Sequence, residues 1–174
     1  SSMLEALSTM LKATTNREQT AFITLEEELS YTDAYLYIIH ERMGSRLTII
    51  RDIDETLLSW QLPRLILQPI VENAVEHGAF PNGQSTITIR AHRADGQWII
   101  LEVENDRILS AVDESKIAAL LDDEADGPES SVNIGIRNVH QRLKLYFGPE
   151  SGLSITNTPD GHTLSTMHIG TKPG

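Results

Sequence analysis

The sequence predicts an α/β protein, a two-layer sandwich of one mixed sheet with helices on one face, preceded by a helical hairpin. Three observations carry that prediction. From Met3 to about Arg42 the apolar residues recur at helical spacing only. From Arg46 onwards, runs alternating between apolar and polar side chains interleave with helical runs, the texture of a sheet backed by helices. Two pairs of these runs are each joined by a short turn-forming stretch, "ADGQ" and "PDGH", which reads as two hairpins.

In order along the chain, Leu4, Leu7 and Leu11 mark a first helix, and "TNREQTAF" interrupts it. A second helix opens at Thr24, whose hydroxyl suits a cap, with Glu26, Glu27 and Glu28 in the first turn, where the helix dipole favours acids. It continues through Leu29, Tyr35, Leu36, Ile39 and Met43 to a stop near Gly44. The expected division is therefore residues 1–45 as residual dimerisation or linker helices and 46–174 as a separate α/β domain. In that domain "RLTIIRDI", "TITIRAHR", "QWIILEVEN", "LSITNT" and "TLSTMHIG" read as strands. Two helices lie among them. One is built on "LQPIVENAVEHG", with Leu65, Ile66, Ile70 and Val71 as its apolar surface. The other is "IRNVHQRLKLYFG", with Ile136, Val139, Leu143 and Tyr146 expected on one face.

Composition narrows the function classes. The 174 residues hold no cysteine, which excludes disulfides and thiolate metal sites. A formal charge of −11 argues against nucleic acid as a partner, because phosphates call for a basic surface. No stretch approaches the roughly 20 apolar residues of a membrane span. The opening "SSM" reads as a cloning remnant, so the chain is expected to be a piece of a longer protein.

Three short stretches carry candidate chemistry. Glu72, Asn73, Glu76 and His77 are expected to form one broad polar stripe on an otherwise apolar helix. An amide oxygen beside carboxylates can hold Mg²⁺, which takes few protein ligands and keeps its waters. A solvated helix face ending at a glycine accounts for the same residues, and the absence of an HExxH spacing disfavours zinc. Gly135 is placed just before the second helix, where a glycine admits a close ligand and the free N–H groups attract an anion, or where it is an ordinary loop residue. "DGHT", Asp160 to Thr163, is by itself a hairpin turn.

In this order the stretches resemble one family. "LILQPIVENAVEHG" resembles the N-box of sensor histidine kinases, "NIGIRNVHQRLKLYFG" their second glycine box, and "GHT" before a strand their terminal Gly-x-Thr. Upstream, "ITLEEELSYTDAYLYIIHERMGSRL" resembles the helix before the ATP-binding domain in kinases of the LytS/YesM type. The resemblance implies the Bergerat-type nucleotide-binding fold shared with Hsp90, gyrase B and MutL, with ATP and Mg²⁺ as cofactors. Position by position, it implies Asn73 as the Mg²⁺ ligand and Glu72 as the polarising or general-base residue. His77 would lie near the phosphates or the lid, with Glu76 counted among the cofactor-binding residues. The N–H groups of Gly135 and Ile136 would receive the phosphate tail, with Asn138 and Arg142 close by. Thr163 would sit near the adenine, and about 107–133 would form the lid.

Two departures and one gap accompany the resemblance. The family's Asp-x-Gly-x-Gly is here "VENDRILSA", with Asn105 at the Asp position, Arg107 and Leu109 at the glycines, and Asp106 one residue along on the opposite face. Asn133 likewise replaces the first glycine of the second glycine box. The family's phosphoacceptor motif of the Pro-His-Phe type is absent, and His40, late in the second helix, reads as a surface or hydrogen-bonded histidine. The implied function is the ATP-binding catalytic domain of a two-component sensor kinase. It would pass the γ-phosphoryl to a histidine on an upstream helix, for relay to a response regulator. The parent would be a homodimer and membrane-anchored only through segments outside this chain, with this part cytoplasmic. The alternative is a degenerate module on the same fold, signalling by protein contacts; an ATPase of the gyrase or MutL kind fits the helical lead-in less well.

Overall fold

A computed structural model describes residues 2–15, 22–78, 83–122 and 131–171. The lead-in comprises helix α1 (Ser2–Thr15), a short strand β1 (Phe22–Thr24) and helix α2 (Leu25–Met43). Thr24 caps α2 as expected, its hydroxyl accepting the Glu27 N–H at 3.2 Å, and Gly44 ends the helix with φ 62°. Strands β2 (Leu47–Ile53) and β3 (Gln61–Pro63) precede helix α3 (Leu67–Gly78). Then come β4 (Ser85–Ala94), β5 (Trp98–Asn105), α4 (Ala111–Leu120), α5 (Ser131–Phe147), β6 (Gly152–Asn157) and β7 (Thr163–Gly170).

Five strands form one mixed sheet in the order β2-β4-β5-β7-β6, with β2 parallel to β4 and every other neighbour antiparallel. Both expected hairpins are present. β4 and β5 pair Ala94 with Trp98 across a turn that holds Gly96 at φ 76°, and β6 pairs with β7 around Gly161 at φ 78°. Alternation buries one face throughout the central positions of these hairpin strands, and the other only at Thr88 and Ile100. Ile87, Ile89, Ala91, Ile99, Leu101, Val103, Met167 and Ile169 are covered, whereas Arg90, Glu102, Glu104, Thr166 and His168 keep exposure on the other side.

Helices α3 and α5 supply the second layer. Ile70, Val71, Ala74 and Val75 of α3 and Ile136, Val139 and Leu143 of α5 join the sheet residues in one core. Tyr146 does not follow its three expected partners. It is half exposed in the last turn of α5, with its ring edge-on to Phe22 at 5.2 Å. Leu25, Leu29 and Leu36 of α2 belong to the same buried cluster, and β1 pairs antiparallel with β3, a ladder of three residues on each side that the sequence pattern did not announce. α1 packs along α2, burying Ala6, but turns Leu4, Leu7 and Leu11 outwards. Among the described residues no helix is long and apolar enough to cross a membrane.

Candidate nucleotide site

Helix α3 starts two residues later than its apolar pattern suggests. Leu65 adopts a left-handed backbone, φ 56°, which a helix cannot contain, so Leu65 and Ile66 precede it. The expected single stripe then resolves into two lines. Side chains one residue apart on a helix diverge by about 100°, and here the neighbours meet different elements. Asn73 and His77 line a cavity of about 50 Å³ together with Asp113, Lys116, Ile117 and Leu120 of α4 and Ile136 of α5. Glu72 and Glu76 lie instead by α2. Burial together with these two carboxylates pushes the Tyr35 phenol up to about 12, against a smaller opposing effect of Arg42. Glu72 also accepts a hydrogen bond from the Gln68 side-chain amide at 3.1 Å.

Asn73 is buried, and its Oδ1 has no hydrogen-bond partner among the described residues. An unmatched amide oxygen inside a protein is costly and leaves a donor atom open to a ligand, an ion or water, as it does at Gln68 Oε1 on the same helix. Oxygen is the donor that Mg²⁺ prefers, so the residue fits the implied cofactor. A nucleotide does not fit the cavity as it stands, since ligand pockets run to roughly 300–1,000 Å³. One wall of the cavity is α4, which sequence reasoning treats only as part of a lid. It is a capped helix, with Ser110 Oγ accepting the Asp113 N–H at 3.1 Å, and it buries Ile117. Asp113 and Lys116 were not singled out from the sequence. A cation within a mostly acidic stretch is the only signal for Lys116. The remainder of the expected lid, 123–130, lies outside the described residues.

The phosphate end differs from expectation. Gly135 does not stand before α5. The helix begins at Ser131, which places Gly135 beyond the free N–H groups of the first turn. Its N–H and that of Ile136 are therefore used inside the helix and cannot receive an anion in this form. Asn138 is exposed, and Arg142 is drawn away altogether, donating to the Leu65 carbonyl at 3.3 Å.

The expected adenine readers, Asn105 and Thr163, are a register pair across β5 and β7, and both are buried. Both are also engaged. Asn105 Oδ1 accepts the Arg107 N–H at 3.1 Å, and Thr163 Oγ1 donates to the Arg107 carbonyl at 2.6 Å. The peptide groups of Arg107 are thus clamped from both sides, with no positive φ at Arg107 or Leu109, so neither missing glycine is needed for this loop shape. Asn157, which the sequence did not single out, completes the clamp. Its Oδ1 accepts the Leu109 N–H at 2.8 Å and its Nδ2 donates to Glu114 at 2.6 Å. Asp106 takes no part, because its carboxylate caps the start of β4 at the Thr86 N–H, 3.1 Å away. Gly78 closes on Asn105 from above. A Cβ on Gly78 would stand 2.9 Å from that of Asn105. His40 is exposed in the last turn of α2, as expected.

A mixed five-stranded sheet with α3 and α5 on one face is the architecture expected of the Bergerat-type nucleotide-binding fold. Comparison with known proteins agrees. The histidine kinase family model matches residues 1–47. The chain is 31% identical over 169 residues to the sensor histidine kinase BtsS of Escherichia coli K12, covering 97% of this chain and 27% of that protein. It is 28% identical over 162 residues to the sensor protein LytS of Oceanobacillus iheyensis, covering 91% of this chain and 27% of LytS. Among solved structures it matches the catalytic domain of histidine kinase ThkA, with TM-score 0.59 at 12% identity over 86% of this chain and 94% of that one. It also matches ThkA in complex with the response regulator protein TrrA, with TM-score 0.60 at 14% identity over 98% of this chain and 48% of that one. The fold is that of histidine-kinase catalytic domains, and the chain's relatives are sensor histidine kinases, LytS proteins among them. The chain spans about a quarter of the length of BtsS and LytS.

Proposed function

We propose that this chain is the ATP-binding catalytic part of a two-component sensor histidine kinase. It would pass the γ-phosphoryl of ATP to a histidine on a helix upstream of this sequence, for relay to an aspartate of a response regulator. The observation that carries the reading is the buried, unmatched oxygen of Asn73, a residue of the wall of the space between α3, α4 and α5. Bound Mg²⁺ would neutralise phosphate charge there, and the protein's share is positioning and charge stabilisation. Asn73 would supply the oxygen ligand, His77 and Lys116 would lie along the phosphates, and Glu72 would polarise the attacking group on the α2 side of the helix. The first 45 residues would serve dimerisation in a longer, membrane-anchored parent with this part on the cytoplasmic side. The outward stripe of Leu4, Leu7 and Leu11 supports that role. Residues 46–174 would be the ATP-binding domain. The relation of ThkA to TrrA is the analogy for a response-regulator partner.

A second reading, a non-catalytic module on the same fold, is favoured by one observation. Asn105 Oδ1 and the Thr163 hydroxyl proton are both engaged by Arg107. Calorimetric titration of Mg–ATP separates the two. The catalytic reading expects binding that Asn73→Ala weakens by about 1–3 kcal/mol, the scale of a lost contact to a charged group, with the melting temperature nearly unchanged. Absence of binding to the wild-type chain favours the module.

A further inference from the structure

We propose that Glu28 is a positioning residue that ties α2 to both helices of the nucleotide site, so that the placement of α2 sets the placement of Asn73. The inference rests on the catalytic reading above. It begins with a helix that lacks its own cap. The residue before α3 is Ile66, which has no side-chain acceptor for the free N–H groups of the first turn. Pro69 has no N–H to satisfy, which leaves Leu67 and Gln68 as the foremost donors. Both donate to Glu28 Oε1, at 3.0 and 3.3 Å, and Leu65 N–H donates to Oε2 at 3.1 Å. The cap thus arrives from another helix, about forty positions earlier in the chain.

Glu28 is completely buried. Burial pushes its carboxyl up, while the backbone N–H groups around it favour the charged form. A buried carboxylate is retained where its hydrogen bonds hold something in place. What it holds here is a strained link. Leu65 sits in the left-handed region, uncommon for a leucine. Its N–H is fixed by Glu28 of α2 and its carbonyl by Arg142 of α5. One carboxylate therefore fixes the start of α3 directly and α5 through Leu65, and Asn73 lies in the turn that follows on the same rigid helix.

The joint is tested with the purified chain, comparing wild type with Glu28→Gln and, as a stability control, Leu36→Ala. Leu36 is buried on the same helix but touches none of these groups by hydrogen bond. The glutamine keeps the size of the side chain but turns an NH₂ towards backbone donors. Peptide-resolved hydrogen exchange is expected to rise in 65–78 in Glu28→Gln, with β4 and β5 unchanged. Mg–ATP affinity is expected to fall about tenfold, within the range by which coupled positions shift ligand binding. Leu36→Ala is expected to melt lower yet bind within about twofold of wild type. Arg142→Gln probes the same joint from α5 if Glu28→Gln does not purify as folded protein, and is expected to raise exchange at 65–68. Unchanged exchange in 65–78, or an affinity loss matched by Leu36→Ala, overturns the proposal. If the wild type binds no Mg–ATP, the catalytic reading fails, and the exchange pattern alone then decides the joint.

Discussion

Gly135→Ala is the substitution for which this structure and the kinase resemblance pull in opposite directions. Gly135 lies in a helix, has no positive φ, and a Cβ there would meet Pro69 Cβ at 3.6 Å, an ordinary contact. Alanine is favoured over glycine in a helix interior by about 0.5–1 kcal/mol. The new methyl adds a fraction of the ~0.8 kcal/mol for a buried carbon, since the site is only half covered. A gain of about 1 kcal/mol corresponds to a melting temperature higher by roughly 2–4 °C in a chain of this size. Nucleotide binding is expected to move the other way. For the N–H of Gly135 to reach a phosphate, the turn from Ser131 must unwind, and stabilising the wound form by about 1 kcal/mol weakens apparent affinity about fivefold. Scanning calorimetry and Mg–ATP titration on the same two proteins measure both. A lower melting temperature refutes the helical accounting. A higher one with undiminished affinity refutes the unwinding, and with it the expectation that this glycine serves the phosphates.

Two other outcomes are expected. Gly78→Ala places a methyl 2.9 Å from Asn105 Cβ, an overpacking that costs about 1–3 kcal/mol; a denaturant midpoint equal to wild type contradicts that close approach. On the open face of the sheet, burial alone would raise the Glu104 carboxyl, but the hydrogen bond from His162 at 2.7 Å and the Arg90 guanidinium hold it below the ordinary 4.5. A carboxyl with a depressed folded value stabilises fully above 4.5 and loses that contribution as pH falls through its own lower value. Glu104→Gln is therefore expected to lose less stability than wild type across that acid window, by a small margin because the group is partly solvated. Equal losses in the two proteins refute the assignment.

The readable parts of the fold were those governed by local pattern. Alternation placed β4, β5, β6 and β7, and the Thr24 hydroxyl placed the start of α2, because both depend on neighbours in sequence. The β1–β3 ladder escaped since three residues are too few to show a period. In the site, the sequence groups Glu72, Asn73, Glu76 and His77 as one stripe, and the split that leaves Asn73 and His77 at the small cavity is not readable, because a stripe on paper does not say which neighbour each edge meets. The start of α5 was misplaced for a related reason. Glycine is a poor helix former, and Gly135 looked like a boundary where the chain has already been helical for a turn. By sequence Glu28 is a first-turn acid favoured by its own helix dipole; its partners, 37 to 40 positions away, are a property of packing alone.

The splitting of α3 into two lines has a mechanical side. Asn73 looks towards α4 and Glu72 towards α2 from one rigid cylinder. Turning the cylinder by about 10° sweeps every side-chain tip about 6 Å from its axis through about 1 Å, whichever way it points. Neither residue can be re-aimed alone by moving the backbone. A displacement of that size is enough to spoil a reacting geometry, so any adjustment delivered through α2 reaches the cavity and its opposite flank together, as the two ends of a rocker move on one pivot.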